Sequence, residues 1–101
     1  SKLVISNNDS LYLKEVLKGV EVPIITYGVK NEADLKVTNI NLINEANFLG
    51  SEFTTEGLIN DTFKTCIPGE FNVYNSLCSL LVCEELGIDI KKSKEALQTK
   101  S

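Results

Sequence analysis

The hydrophobic positions in the first third of the chain predict a strand, a helix and a second strand. Residues 3–5 (LVI) form a short apolar run that ends in the polar sequence SNND, which is typical of a buried strand followed by a turn. Asp9 or Ser10 can cap the next helix, and Gly19 can end it. Residues 24–27 (IITY) form a second apolar run. This order predicts a parallel pair joined by a helical crossover. The apolar positions of the helix are Leu11, Leu13, Val16 and Leu17.

The middle of the chain changes to extended segments. Residues 34–42, 46–55 and 58–67 are rich in Val, Ile, Thr and Phe, which favours strands. Residues 44–45 and 56–57 have the composition of hairpin corners. The pattern therefore predicts a three-stranded antiparallel meander, one face of which must be covered because isolated hairpins are only marginally stable.

The last third is predicted to be helical. Helical spacing runs from Val73 to Leu86, and Gly87 is suited to the position after the helix end. Asp89 can cap a final helix that extends to about Gln98. The residues expected to face inward in the first helix are Tyr74, Leu77, Cys78, Leu81 and Val82, and in the second Ile90, Ser93, Ala96 and Leu97.

These elements together predict an α/β fold, or α+β if the chain is an isolated fragment. A single strand–helix–strand unit would leave a two-stranded parallel sheet with an exposed edge. We therefore expect the chain to be the back half of a larger α/β domain, with no internal domain boundary. The exposed edge would also allow self-association.

Composition and charge argue against several classes of function. The 101 residues are 43% hydrophobic and 24% charged, with a net charge of −4. The lack of a basic stripe argues against a nucleic-acid partner, and no apolar run is long enough to span a membrane. Cys66, Cys78 and Cys83 occur without a CxxC pair or histidine, which argues against zinc and favours free thiols in a reducing cytoplasm. Without histidine, the chain alone cannot perform histidine acid–base chemistry.

The sequence IPGEFNVYN at residues 67–75 carries the strongest candidate chemistry. If Asn72 is the N-cap of the following helix, its side chain accepts a hydrogen bond from the backbone N–H of Asn75, and the pair serves only to cap the helix. This explanation suits Asn75 less well, because asparagine is unfavourable inside a helix. Alternatively, the two amides hold a ligand, since an amide offers the donor and acceptor that match an adenine edge.

Several segments together resemble the Mur ligases, the ATP-dependent amino-acid ligases of peptidoglycan assembly. IPGEFNVYNSL at 67–77 resembles their L-P-G-(R)-F-N-V-Y-N-(A)-L segment, and ITYGVKNEADLKVTNI at 25–40 their TYG…AD…A-x-N-I stretch. GSEFTTEG at 50–57 and the opening LVISNNDS are similar to further family segments. Phenylalanine before the first asparagine favours the tripeptide synthetase branch, the MurE type.

The resemblance implies that the chain is the C-terminal part of the central, ATP-binding domain, in which the meander would be a small separate sheet. It implies that Asn72 and Asn75 lie at the adenine side of the ATP site. Family members usually carry Arg or Lys in place of Glu70, so we expect Glu70 to point away from the polyphosphate. Of the family's N-x-D-D turn only Asp9 is retained, and no role is carried over to it.

For the parent protein the resemblance implies ATP and Mg²⁺ as cofactors. It also implies that meso-diaminopimelate or L-lysine is joined to UDP-N-acetylmuramoyl-L-alanyl-D-glutamate through an acyl phosphate. The chain has no GxxxxGK[ST] phosphate loop, and the residues matching the family's metal ligands and catalytic lysine are absent. We therefore expect no catalytic residue in this chain, no ligase activity from it alone and at best weak nucleotide binding. A fragment of another ligase of this superfamily, such as folylpolyglutamate synthetase, and a non-catalytic interaction domain are the alternatives.

Overall fold

The computed structural model describes residues 3–66 and 69–99. The end of the third predicted strand at Ile67, residue Pro68 and the side chain of Phe71 lie outside what is described. The elements are β1 (Val4–Asn7), α1 (Leu11–Val16), β2 (Ile24–Gly28), β3 (Leu35–Glu45), β4 (Phe48–Gly57), β5 (Thr62–Thr65), α2 (Glu70–Glu85) and α3 (Ile90–Thr99).

All five strands join one mixed sheet in the order β1-β2-β3-β4-β5. β1 and β2 are parallel, as predicted, and β3, β4 and β5 form the predicted antiparallel meander. The expectation that the meander forms a separate sheet is wrong, because β3 pairs in parallel with β2 at Tyr27–Leu35 and Gly28–Lys36. The hairpin corners also lie later than predicted, since β3 continues to Glu45 and β4 to Gly57.

Helix α1 begins where its cap residue allows. The Ser10 hydroxyl accepts a hydrogen bond from the backbone N–H of Leu13 at 3.1 Å, so Ser10, and not Asp9, is the N-cap. No residue of α1 is buried, and its apolar side chains Leu11 and Val16 are 77% and 53% exposed.

Helix α2 begins three residues before the predicted start. Gly69 is its N-cap with φ 117°, a conformation that only glycine adopts easily, and Glu70 stands in the first turn, where the helix dipole favours a carboxylate. The assignment of Asn72 as N-cap is therefore wrong: Asn72 lies in the first turn of the helix, and its carbonyl accepts a hydrogen bond from the Ser76 hydroxyl at 2.8 Å.

The buried stripe of α2 also differs from the prediction. Val73, Leu77, Leu80 and Leu81 are at most 1% exposed, whereas Val82 is 42% exposed. Tyr74 and Cys78 are half-buried along the margin of the helix that faces β1 and β2. The stripe is rotated by about one residue because Val73, Leu77, Leu80 and Leu81 are the residues that join the hydrophobic core.

The C-terminal turn of α2 follows the prediction for Gly87. The N–H of Gly87 donates to the carbonyl of Glu84 at 3.1 Å, and that of Ile88 to Cys83 at 2.9 Å. With Gly87 at φ 74°, this is a Schellman motif. Asp89 then caps α3 by accepting from the Lys91 N–H at 2.9 Å, as predicted.

Helix α3 packs beside α2 and β5. Ser93 is buried and Ile90 and Leu97 are half-buried, whereas Ala96 is exposed, contrary to the prediction. The core lies between the meander and these helices, and Phe53 and Phe63 stack at its centre with ring centroids 5.5 Å apart. Its members are Leu35, Val37, Phe53, Ile59, Phe63, Val73, Leu77, Leu80 and Leu81. In the described part of the chain, no helix has the length and apolar character needed to cross a membrane.

Candidate functional site at the carboxyl ends of β1 and β2

A cleft of about 490 Å³ opens where the parallel strands β1 and β2 end and α2 begins. Its lining comes from the end of β1 and the turn after it, from the end of β2 and the loop after it, and from the first two turns of α2. Ligands of open α/β sheets bind outside the carboxyl ends of the strands, and this volume is in the range of small-molecule sites. The cleft is therefore the candidate functional site.

Asp9 is the central hydrogen-bond acceptor of the cleft. Its carboxylate accepts from the backbone N–H groups of Val29 at 2.8 Å, Lys30 at 3.0 Å and Asn31 at 2.7 Å. It also accepts from the Tyr74 hydroxyl at 2.6 Å. Burial raises the pKa of Asp9, but these hydrogen bonds outweigh burial and hold it well below its usual value. Asp9 is thus an anion at every physiological pH.

The turn after β1 and the loop after β2 are built around this carboxylate. The Asn7 side chain accepts a hydrogen bond from the Asp9 N–H at 2.9 Å, which forms an Asx-turn. A Cβ on Gly28 would lie 3.2 Å from Asp9 Oδ1 and 2.9 Å from the Asn31 carbonyl oxygen. The absence of a side chain at Gly28 therefore lets the loop close tightly around the carboxylate.

Two tyrosines line the side of the cleft. Burial, together with the hydrogen bond to the Asp9 anion, raises the pKa of Tyr74, and burial with the neighbouring Cys78 raises that of Tyr27. Both phenols are therefore neutral at physiological pH and can act as hydrogen-bond donors. Tyr74, which the sequence predicted to be a core residue, is instead half-buried and contributes to the cleft wall.

The mouth of the cleft carries opposite charges. Lys30 Nζ lies 3.8 Å from Glu70 Oε1, and the two side chains are 71% and 52% exposed. Glu70 lines the cleft, and the expectation that it points away from the polyphosphate stays a prediction. With Asp9 included, the titratable carboxylates outnumber the ammonium groups in this lining, so the cleft does not attract a polyphosphate.

The two asparagines singled out by the sequence stand one helical turn apart on α2. Asn75 is exposed and lines the cleft. Asn72 is half-buried and is not among the described residues that line it. The structure therefore brings Asn75 together with Asp9 and Tyr74 in the described cleft lining, to which Asn72 does not belong.

Sequence reasoning missed Asp9, Lys30 and the Tyr74 hydroxyl as parts of this site. The run of asparagine and aspartate directly after β1 was a usable signal, because polar side chains at a strand's carboxyl end face the binding edge of a parallel sheet. Among the described residues, no group of three or more His, Cys, Asp and Glu side chains is arranged to hold a metal ion.

A scan against protein-family models matches residues 1–83 to the Mur ligase middle domain. The chain belongs to this family. It is 39% identical over 96% of its length to UDP-N-acetylmuramoyl-L-alanyl-D-glutamate–2,6-diaminopimelate ligase 1 of Clostridium acetobutylicum. It is 34% identical over 94% of its length to UDP-N-acetylmuramate–L-alanine ligase of Caldanaerobacter subterraneus subsp. tengcongensis. The family resemblance is thereby confirmed.

Solved structures agree on the fold of this Mur ligase family member. A structure of UDP-N-acetylmuramoylalanyl-D-glutamyl-2,6-diaminopimelate–D-alanyl-D-alanyl ligase from Acinetobacter baumannii superposes with a TM-score of 0.78 over 98% of this chain, at 17% identity. The predicted α/β class is confirmed. The chain spans about one fifth of the length of the curated relatives and 21% of that solved chain.

Proposed function

We propose that this chain forms the adenine side of the nucleotide site in an ATP-dependent amide ligase of peptidoglycan synthesis. The observation that carries the proposal is the position of Asn75: its amide lines a cleft at the carboxyl ends of parallel strands in a Mur ligase middle domain. An exposed amide offers a donor and an acceptor to the edge of a purine. Asn72, one turn away and outside the cleft lining, would then support the helix turn that carries Asn75.

The chemistry of the cleft fits the base and ribose of a nucleotide better than its phosphates. The neutral Tyr27 and Tyr74 provide aromatic walls, whereas Asp9 and Glu70 repel a polyphosphate. The triphosphate and Mg²⁺ would be held by residues of the parent protein outside these 101, where they would activate a carboxylate as an acyl phosphate. We accordingly propose that the chain alone has no ligase activity, and that it is the C-terminal part of the central domain of a cytoplasmic enzyme.

The relatives leave two types of amino-acid ligase open for the parent enzyme. The relative at 39% identity is named as a 2,6-diaminopimelate ligase and the relative at 34% identity as an L-alanine ligase. Phenylalanine at position 71 favours the first type, in which diaminopimelate or L-lysine is added to UDP-N-acetylmuramoyl-L-alanyl-D-glutamate. ADP release by the natural full-length protein, measured with each UDP-sugar and amino-acid pair, decides between the two types. Turnover of folate and glutamate instead would indicate a folylpolyglutamate synthetase.

The nucleotide role is tested by substitution of Asn75 in the same full-length protein. Asn75→Ala should raise the KM for ATP about tenfold, the effect of losing one or two hydrogen bonds, with a smaller change in kcat. Asn41→Ala is the matched control, because Asn41 is exposed on β3 at a distance from the cleft. An equal KM for the two variants would contradict the proposal. ADP release by the purified 101-residue chain that depends on the UDP-dipeptide would contradict its predicted inactivity.

A further inference from the structure

The hydrogen bonds of Asp9 connect three segments that are distant in sequence. Asp9 belongs to the turn after β1, Val29, Lys30 and Asn31 to the loop after β2, and Tyr74 to α2. Asp9 and Tyr74 are 65 positions apart in the sequence, so this contact is purely tertiary.

The acceptor capacity of Asp9 is largely used by the protein itself. Oδ2 accepts from Val29, Lys30 and the Tyr74 hydroxyl, and Oδ1 accepts from Asn31. A carboxylate has about four lone-pair sites, so little remains for a ligand. Asp9 is therefore better suited to hold other residues in place than to contact a substrate.

Tyr74 transmits this restraint to the helix residue at the cleft. Tyr74 directly precedes Asn75, and both line the cleft. Helix α2 has no side-chain hydrogen bond at its N-cap Gly69. The 2.6 Å bond between the Tyr74 hydroxyl and Asp9 thus fixes the first turns of α2 against the two loops.

We propose that Asp9 is a positioning residue that holds the Asn75 amide at the cleft by binding the Tyr74 hydroxyl and the loop after β2 together. This inference rests on the proposed nucleotide role of the cleft. It makes Tyr74 the link between the Asp9 anion and the base-binding amide.

The first test uses steady-state kinetics of the natural full-length protein. Tyr74→Phe removes one oxygen and should raise the KM for ATP about three- to tenfold, with kcat within about twofold of the wild type, because the chemistry occurs elsewhere. Asp9→Asn should raise KM further, since Val29, Lys30, Asn31 and Tyr74 all donate to the Asp9 carboxylate and the NH₂ group of an asparagine would face one of these donors.

Two matched controls distinguish an effect on the position of Asn75 from a general loss of stability. Tyr12→Phe makes the same chemical change at a tyrosine that is 76% exposed. Asp34→Asn alters a carboxylate that holds Thr26 at 3.0 Å near the same loop, without an observed bond to α2. Both controls should leave the KM for ATP unchanged. In the Asp9→Asn background, Tyr74→Phe should add less than it does in the wild type, because the anion that accepts the Tyr74 hydrogen bond is already removed.

A nucleotide-free measurement distinguishes failure of this inference from failure of the proposed function. Without ATP, hydrogen exchange at the amides of residues 74–78 should be about tenfold faster in Tyr74→Phe than in Tyr12→Phe. One outcome is that exchange increases but neither Asn75→Ala nor Tyr74→Phe alters the KM for ATP. The cleft is then not the nucleotide site, and both the proposed function and the positioning role of Asp9 are refuted. If Asn75→Ala raises KM while Tyr74→Phe leaves KM and exchange unchanged, the positioning role is refuted alone. Should Asp9→Asn fail to fold, the Tyr74→Phe results still decide the question.

Discussion

The two ends of the sheet are packed in opposite ways. At the β5 end, helix α3 packs on β5, and the core residues Phe53 and Phe63 of β4 and β5 are 0% and 1% exposed. At the β1 end, α1 has no buried residue, and Leu11 and Tyr12 are 77% and 76% exposed. Within the described residues, β1 pairs on one side only, with β2. Most of the stability of the chain is therefore expected from the β5 end, whereas the cleft belongs to the β1 end.

This difference suggests a division between a packed support and an open, ligand-facing edge. The residues that line the cleft are positioned by the hydrogen bonds of Asp9 and by the packing of α2 on the sheet. Helix α1, which has no buried residue, does not contribute apolar burial. Apolar side chains on α1 are available for contact with another surface. Self-association through the free edge of β1 stays a prediction, and concentration-dependent sedimentation of the chain tests it.

The largest expected effect compares one apolar residue from each end. Phe53→Ala should lower the free energy of unfolding by about 3–5 kcal/mol, because it leaves a cavity in the closed core. Leu11→Ala should change it by at most about 0.5 kcal/mol, because Leu11 is already in solvent. Urea denaturation followed by circular dichroism measures both. Comparable losses would mean that α1 packs against a surface in solution.

Two glycines with positive φ sharpen the comparison. Gly57, at φ 109°, lies so close to β3 that a Cβ would be 2.1 Å from the Asp34 carbonyl oxygen, whereas Gly19, at φ 82°, faces open space. Gly57→Ala should cost about 2–3 kcal/mol through combined strain and clash. Gly19→Ala should cost about 1 kcal/mol from backbone strain alone. The same denaturation assay measures the loss of unfolding free energy in both variants. A larger loss in Gly19→Ala than in Gly57→Ala would contradict the close contact described at Gly57 and the open space described at Gly19.

Acid sensitivity should follow Asp9 more than Asp61. Hydrogen bonding to Lys94 lowers the pKa of Asp61, and the hydrogen bonds at Asp9 outweigh burial and lower its pKa further. A carboxylate with a folded-state pKa below its unfolded value of about 3.9 stabilises the protein above that pH, and the contribution is lost as pH falls through the folded-state pKa.

The test compares unfolding free energies at pH 6 and pH 2.5. The loss between these two values should shrink most in Asp9→Asn and less in Asp61→Asn. If the loss in Asp9→Asn equals that of the wild type, the Asp9 hydrogen bonds do not persist in solution.

The smallest effects are expected from the ion pairs. Lys30→Met removes an exposed pair with Glu70 and should change stability by less than about 0.5 kcal/mol. Lys94→Met removes a 2.9 Å bond to Asp61 and a cation placed 5.7 Å from the Phe63 ring centre, and should cost about 1 kcal/mol. The order should persist in 0.5 M salt with smaller values, and a reversed order would contradict the comparison.

Local sequence signals predicted most of the fold. Alternation and apolar runs located every strand, and the end of α2 at Gly87 and the cap of α3 at Asp89 were predictable because these motifs depend on neighbouring residues only. The start of α2 was placed too late, because Asn72 is a strong cap residue and competed with Gly69. The inward face was misjudged by one position, since periodicity gives a helical stripe but not the neighbour on which it rests.

The sequence by itself determined the order and type of the elements, the family, and Asn75 as a candidate contact, because these depend on short-range spacing and on motif identity. Only the tertiary structure decided that β3 joins β2, that Asn72 and Asn75 differ in exposure, and that Asp9 meets Tyr74 across 65 positions. The physical reason is that a hydrogen bond between distant segments leaves no periodic pattern in the sequence. It forms only after the sheet and α2 have brought its two partners within 2.6 Å.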